Sequence, residues 1–176
     1  LKAGFVSGAV ALPDVSNGFV VKKNVFSGKA FANVAIPTGV KIISLNPNVL
    51  IEARAKDRLR QKELEHPIYG MPVLLKDNIN ALPMVTSAGA AAFSDNVPQS
   101  DAFLVKQLKD KGALVLGKVN LSEWAYYFCQ GCPLGYSAIG GQTLNPYGRA
   151  TFESGGSSSG SGATVAANYA VASIGT

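Results

Sequence analysis

Apolar and polar positions change their spacing several times along the chain, and each change marks an element. Val49, Leu50, Ala53 and Leu64 fall near one helical face, among Ala, Leu, Arg, Lys and Glu, which all favour helix. Asn46 before Pro47 supplies a cap and a first-turn residue, and His66-Pro67 stops the run, so the pattern predicts a helix over 48–64. After Gly70 the polar positions vanish over 71–75, and so short an apolar run predicts a buried strand. That strand delivers Lys76, Asp77 and Asn78 at its end. Leu104, Val105 and Leu108 return to helical spacing, which predicts a second helix over 101–111, capped by Ser100 and closed by Gly112. Residues 113–116 read as another buried strand. Strand, helix and strand in that order suggest a right-handed crossover within an α/β sheet.

The remaining segments are less regular. Over 1–45, Gly, Val and Lys alternate loosely, as in short strands or irregular chain, with no chemical motif. Trp124 sits on a short helical piece, and a loop rich in Gly, Pro and Asn follows over 130–149. Residues 155–162 are nearly all Gly and Ser. From Ala163 the chain reads as a buried helix ending near Tyr169, then as a strand over 170–174. The fold class is α/β, a mixed β-sheet flanked by helices, with an irregular N-terminal segment over 1–44 and the main domain over 45–176.

Composition narrows the function classes. Of the 176 residues 47% are apolar and 15% charged, a globular balance rather than a disordered one. The net charge of +5 is spread thinly and forms no basic stripe with interleaved aromatics, so nucleic acid is not an expected partner. No apolar run is long enough to span a bilayer, so no membrane association is expected. Residues 1–13 faintly resemble a signal peptide, with a short apolar core and no starting Met. The compartment stays open, with the cytoplasm favoured.

Chemistry enters with the Gly/Ser segment. It can be a flexible linker, but an apolar helix follows it at once. It can cradle phosphate at a helix start, although no Walker lysine follows and the glycine spacing does not fit the dinucleotide fingerprint. Gly156-Ser-Ser-Ser-Gly160 matches a nucleophile elbow, which needs an acid and a histidine later in the chain; the one histidine, His66, lies upstream. The best-fitting reading joins the segment to Lys76. A serine needs a base to act as a nucleophile, and a lysine serves if burial lowers its pKa from about 10.4. A drop of about three units costs roughly 4 kcal/mol.

Gly70-Met-Pro-Val-Leu-Leu-Lys-Asp-Asn78 resembles the lysine motif of amidase signature enzymes, and Gly155-Gly-Ser-Ser-Ser-Gly-Ser-Gly-Ala163, running on to Ile174-Gly-Thr176, resembles their Gly/Ser signature. Gly117-Lys-Val-Asn-Leu-Ser-Glu-Trp124 and Gly141-Gln-Thr-Leu-Asn-Pro146 match in the same order. The resemblance covers about 45–176 and is nearest to peptide-amidase-like members. It implies a hydrolase of carboxamide C–N bonds acting on a small-molecule or peptide amide, with no cofactor and no metal.

By that resemblance, Lys76 is the base, Ser157 a serine held by a cis peptide bond that relays protons, and Ser158 a supporting hydrogen-bond partner. The nucleophile belongs to a Gly-Thr-x-x-x-Gly-Ser stretch of which only Gly175-Thr176 is present, so the resemblance implies a fold incomplete at its C-terminus and a site without its nucleophile. A catalytically inactive fragment is the alternative, and within the family so is one component of a tRNA-dependent amidotransferase, which would imply a partner subunit. Ala125, Tyr126 and Tyr127 are expected near the substrate, or else as core residues. Cys129-Gln-Gly-Cys132 resembles a thioredoxin-like redox motif, but Pro133 and Gly135 prevent a long helix from starting there. A zinc site would need further ligands, and His66 is the one plausible addition. The plain expectation is two free thiols in a loop.

Overall fold

The computed structural model describes residues 19–25, 30–36, 42–59, 66–149 and 151–176. The signal-like stretch over 1–13 and the predicted end of the first helix over 60–64 lie outside the described residues. The chain forms two compact units, 1–41 and 42–176. In the first, β1 (Phe19–Val25) and β2 (Ala30–Ile36) pair antiparallel, with Phe19 opposite Ile36 and Val25 opposite Ala30. At 19–25 and 30–36 the loose alternation makes short strands.

The second unit is built on a four-stranded sheet of β3 (Ile42–Leu45), β4 (Pro72–Lys76), β5 (Leu114–Val119) and β6 (Ala172–Ile174), in the order β3-β5-β4-β6. Strand β3 runs antiparallel to β5, while β4 lies parallel to both β5 and β6. The sheet is therefore mixed and helix-flanked, as the pattern predicts. Helix α1 (Val49–Leu59) starts where Asn46 caps it: the Asn46 Oδ1 accepts the Asn48 N–H at 3.0 Å, and its Nδ2 donates to the Val115 carbonyl at 3.0 Å. None of its residues is buried.

Helix α2 (Phe103–Asp110) begins later than predicted, with Ala102 rather than Ser100 at its cap position. Asp101 is drawn away from the helix start: its carboxylate accepts the Leu82 N–H at 2.7 Å and pairs with Lys109 at 2.8 Å. Beneath α2, Val73, Leu75, Val105 and Val115 form the core with Ile79 and Met84. Each such side chain contributes about 1.5–3 kcal/mol by leaving water. Alternation along β4 sends Val73 and Leu75 to this face and Leu74 and Lys76 to the other. Against that other face lies α3 (Ser159–Ala166). It begins inside the Gly/Ser segment, four positions before the composition turns apolar. Among the described residues no helix is long and apolar enough to cross a membrane.

Candidate active site

Three segments converge at the C-terminal end of β4. Lys76 ends that strand and is 3% exposed. Its Nζ lies 2.8 Å from the Ser157 Oγ, 2.8 Å from the Thr176 Oγ1 and 3.3 Å from the Ser158 Oγ. Asn78 Nδ2 donates to the Thr176 Oγ1 at 3.1 Å, and the Ser158 Oγ accepts the Thr176 N–H at 3.2 Å. The amine thus sits among the hydroxyls of Ser157, Ser158 and Thr176, with the Thr176 backbone oxygen also accepting from it at 3.4 Å. Burial pushes its pKa below the usual lysine range, because desolvation penalises the charged form. A neutral or readily deprotonated amine within hydrogen-bond distance of a serine hydroxyl can take that hydroxyl's proton.

The structure brings Lys76, Ser157 and Ser158 together. The expected cis bond is not there: among the described residues the one cis peptide is Leu82-Pro83, and the bond entering Ser157 is trans. Two residues upstream, Gly155 adopts φ +72°, a conformation glycine takes without strain.

A cavity of about 480 Å³ opens over these groups. Its lining mixes polar residues, among them Lys76, Asn78, Ser122, Ser157 and Thr176, with the apolar Ala88, Phe93, Leu121, Trp124 and Ala125. The Phe93 and Trp124 rings lie 6.1 Å apart between centroids, tilted by 47°. Trp124, Ala125 and Tyr126 all adopt positive φ, of 48°, 50° and 64°. That run of strained backbone turns Trp124 and Ala125 to the cavity. Of the three residues expected near substrate, only Ala125 lines it. Tyr126 donates its hydroxyl to the Pro133 carbonyl and accepts the Tyr136 N–H, and Tyr127 is 85% exposed.

A second polar cluster supports the cavity from the opposite face of the sheet. Lys118, fully buried, donates to the Asp77 Oδ1 at 3.1 Å, to the Thr86 Oγ1 at 3.0 Å and to the Val85 carbonyl at 3.2 Å. Ser87 donates its N–H at 3.1 Å and its hydroxyl to the Asp77 Oδ2, and the Ala88 N–H donates to the Asp77 carbonyl at 3.0 Å. This holds the segment 85–89 where Thr86 and Ala88 can face the cavity. Burial pushes the Lys118 pKa down, with Asp77 acting in the opposite sense.

Sequence reasoning missed Thr176, Asn78, Trp124 and the Asp77–Lys118 pair. All of them stand within the motifs that carry the resemblance. A lysine inside an otherwise apolar strand was the available signal for the last. Cys129 and Cys132 are joined as a disulfide, not free thiols. Two residues separate them, and the turn at 129–132 brings their sulfurs together. Among the described residues no three His, Cys, Asp or Glu side chains gather as a metal site.

Comparison with known proteins gives this geometry its context. The family profile described as Amidase matches residues 30–176. A probable amidase of Arabidopsis thaliana is 44% identical over 139 residues, covering 77% of this chain and 27% of the plant protein. A glutamyl-tRNA(Gln) amidotransferase component from Lawsonia intracellularis is 36% identical over 146 residues, 77% of this chain and 29% of that protein. Among solved structures, the native peptide amidase of Stenotrophomonas maltophilia superposes with a TM-score of 0.70 at 52% identity, over 74% of this chain and 26% of that one. The chain thus spans between a quarter and a third of the length of these relatives. With a matched profile over most of its length and these likenesses in sequence and fold, the chain belongs to the amidase family.

Proposed function

We propose that the protein carrying this chain hydrolyses carboxamide C–N bonds, with Lys76 as the base and Ser157 as the proton relay. The observation that supports this most directly is the 2.8 Å approach of a buried lysine amine to the Ser157 hydroxyl beside a cavity. Neutral Lys76 takes the Ser157 proton, and Ser157 takes the proton of a nucleophilic serine contributed from outside residues 1–176. That serine's oxygen bonds to the amide carbon. The proton returns through Ser157 to the leaving nitrogen, the C–N bond breaks, and an acyl ester remains. Water then attacks the ester along the same proton path and frees the acid. Ser158, hydrogen-bonded to both Lys76 and Thr176, keeps the amine aimed at Ser157. No metal or organic cofactor enters these steps.

The substrate is a small-molecule or peptide amide, which fits a cavity lined by both hydroxyl-bearing and aromatic side chains. The test is ammonia release from C-terminal peptide amides by the full-length protein and by its Lys76→Ala variant. Loss of at least about 100-fold in kcat with the fold intact supports the assignment. Undiminished turnover without Lys76 refutes it. Activity seen only with a charged tRNA and a partner protein would point to the amidotransferase reading.

A further inference from the structure

Ser122 follows the end of β5, is 1% exposed, and has no part in the proton path described above. Its hydroxyl donates to the Gly156 carbonyl at 3.0 Å and accepts the Gly135 N–H at 2.8 Å. Its own N–H donates to the Ser157 carbonyl at 3.2 Å. The two carbonyls it holds flank Ser157: one belongs to the peptide entering that residue, the other to the peptide leaving it. With both anchored to one buried residue, the backbone dihedrals of Ser157 have little freedom. The position of its Oγ is then set by χ1 alone, which has three staggered wells.

The neighbouring contacts tighten this arrangement. The Gly160 N–H donates to the Asn120 carbonyl at 3.1 Å, so 120–122 and 157–160 run side by side. A Cβ at Gly160 would lie 2.2 Å from that same oxygen, a distance only glycine avoids. Asn120 is itself fixed, donating to the Gly141 carbonyl at 2.8 Å and the Thr143 Oγ1 at 3.0 Å and accepting the Ser137 hydroxyl at 2.7 Å. Ser122 therefore projects from a rigid base onto the one turn that must hold Ser157 still.

We infer that Ser122 is a positioning residue for amide hydrolysis: its hydroxyl and N–H clamp the peptides on both sides of Ser157 and keep the Ser157 Oγ at proton-transfer distance from Lys76. This rests on the Lys76–Ser157 reading proposed above. The role requires a group that donates and accepts at once, which a hydroxyl does. Alanine leaves the Gly156 carbonyl and the Gly135 N–H without that partner in a buried place.

The experiment compares the full-length protein with its Ser122→Ala, Ser122→Thr and Lys76→Ala variants, using steady-state hydrolysis of a peptide amide and circular dichroism to verify folding. Ser122→Ala should lower kcat about 10–100-fold with KM within about twofold, since misplacing a reacting group by an ångström costs on that order. Ser122→Thr, which retains the hydroxyl, should recover most of kcat. A folded Ser122→Ala with kcat within about twofold of the parent overturns the inference, as does a loss carried in KM alone. If Ser122→Ala does not fold, Ser122→Thr decides: near-parental kcat upholds the clamp, and a loss as deep as that of Lys76→Ala overturns it. Lys76→Ala also separates the two readings. Full activity there refutes the amidase chemistry itself, whereas its loss beside an unaffected Ser122→Ala refutes only the positioning role.

Discussion

The Lys76 Nζ lies 2.8 Å from the Ser157 Oγ although 81 positions separate the two residues in sequence. One stands at the end of a buried strand and the other on the turn that opens α3, so the sheet and the helix packed on it must both form before they meet. The proposed chemistry requires Lys76 to lose its extra proton before it can act as a base. Lys76→Arg tests this, because a guanidinium keeps the charge and length but does not deprotonate in proteins. We expect the arginine variant of the full-length protein to lose about 10²–10⁴-fold in kcat for amide hydrolysis. If it instead stays within tenfold of the parent, the group at position 76 serves only as a fixed charge.

The pH dependence has a definite sign. Burial lowers the Lys76 pKa, so the folded protein releases that proton at lower pH than the unfolded chain. A pH–kcat profile should rise with pH through a limb below the ordinary lysine value. Stability moves in the same direction. Between the lowered folded value and the unfolded one, the unfolded chain binds more protons, so raising pH favours the fold. Below the folded value both states are protonated and the full penalty of burying the charge applies. Lys76→Met should flatten this contribution in urea-melting midpoints measured across alkaline pH. A kcat limb that falls where a rise is expected would contradict the base role.

Much of this was legible from residue patterns. The apolar runs at 71–75 and 113–116 gave two central strands, and Lys76 stood out because it follows one of them directly. Resemblance joined it to Ser157 across a gap no periodicity could bridge. Local pattern failed where tertiary partners decided the outcome. Lys118 looks wrong for a strand interior until Asp77 neutralises it, so β5 extends past the apolar run. Ser100 looks like a helix cap, but the Asp101–Lys109 pair and the Leu82 N–H claim the helix entrance. The start of α3 was hidden by Gly160 and Gly162; the first of these packs so closely on the Asn120 backbone that no side chain fits, a contact that helix propensity does not describe.

The Asp77–Lys118 pair should behave as a buried ion pair does. Both side chains are at most 1% exposed, so removing either leaves a charge stranded in the interior. Lys118→Met or Asp77→Leu alone should cost about 3–5 kcal/mol in urea unfolding of the full-length protein. The double replacement should cost less than the larger single one, because two apolar groups strand no charge. Full additivity of the two single effects would show that the residues do not act as a pair.

The aromatic wall should select substrates. Phe93 and Trp124 line the same cavity as Lys76 and Ser157, so an amide whose carbonyl is held near Ser157 has an aromatic surface available to its flanking group. Stripping the indole removes an apolar contact of about 1–3 kcal/mol, which is roughly 10–200-fold in specificity. Trp124→Ala should therefore lower kcat/KM for amides of aromatic or branched apolar residues by that factor, while a small amide such as acetamide changes by no more than about threefold. The comparison needs both substrates, because Trp124 also packs edge-on against Phe128 with centroids 6.2 Å apart and its loss could loosen the rim. A loosened rim would depress both substrates equally. Only a lost binding wall spares the small one, so an equal loss on both would move Trp124 from substrate recognition to support of the fold.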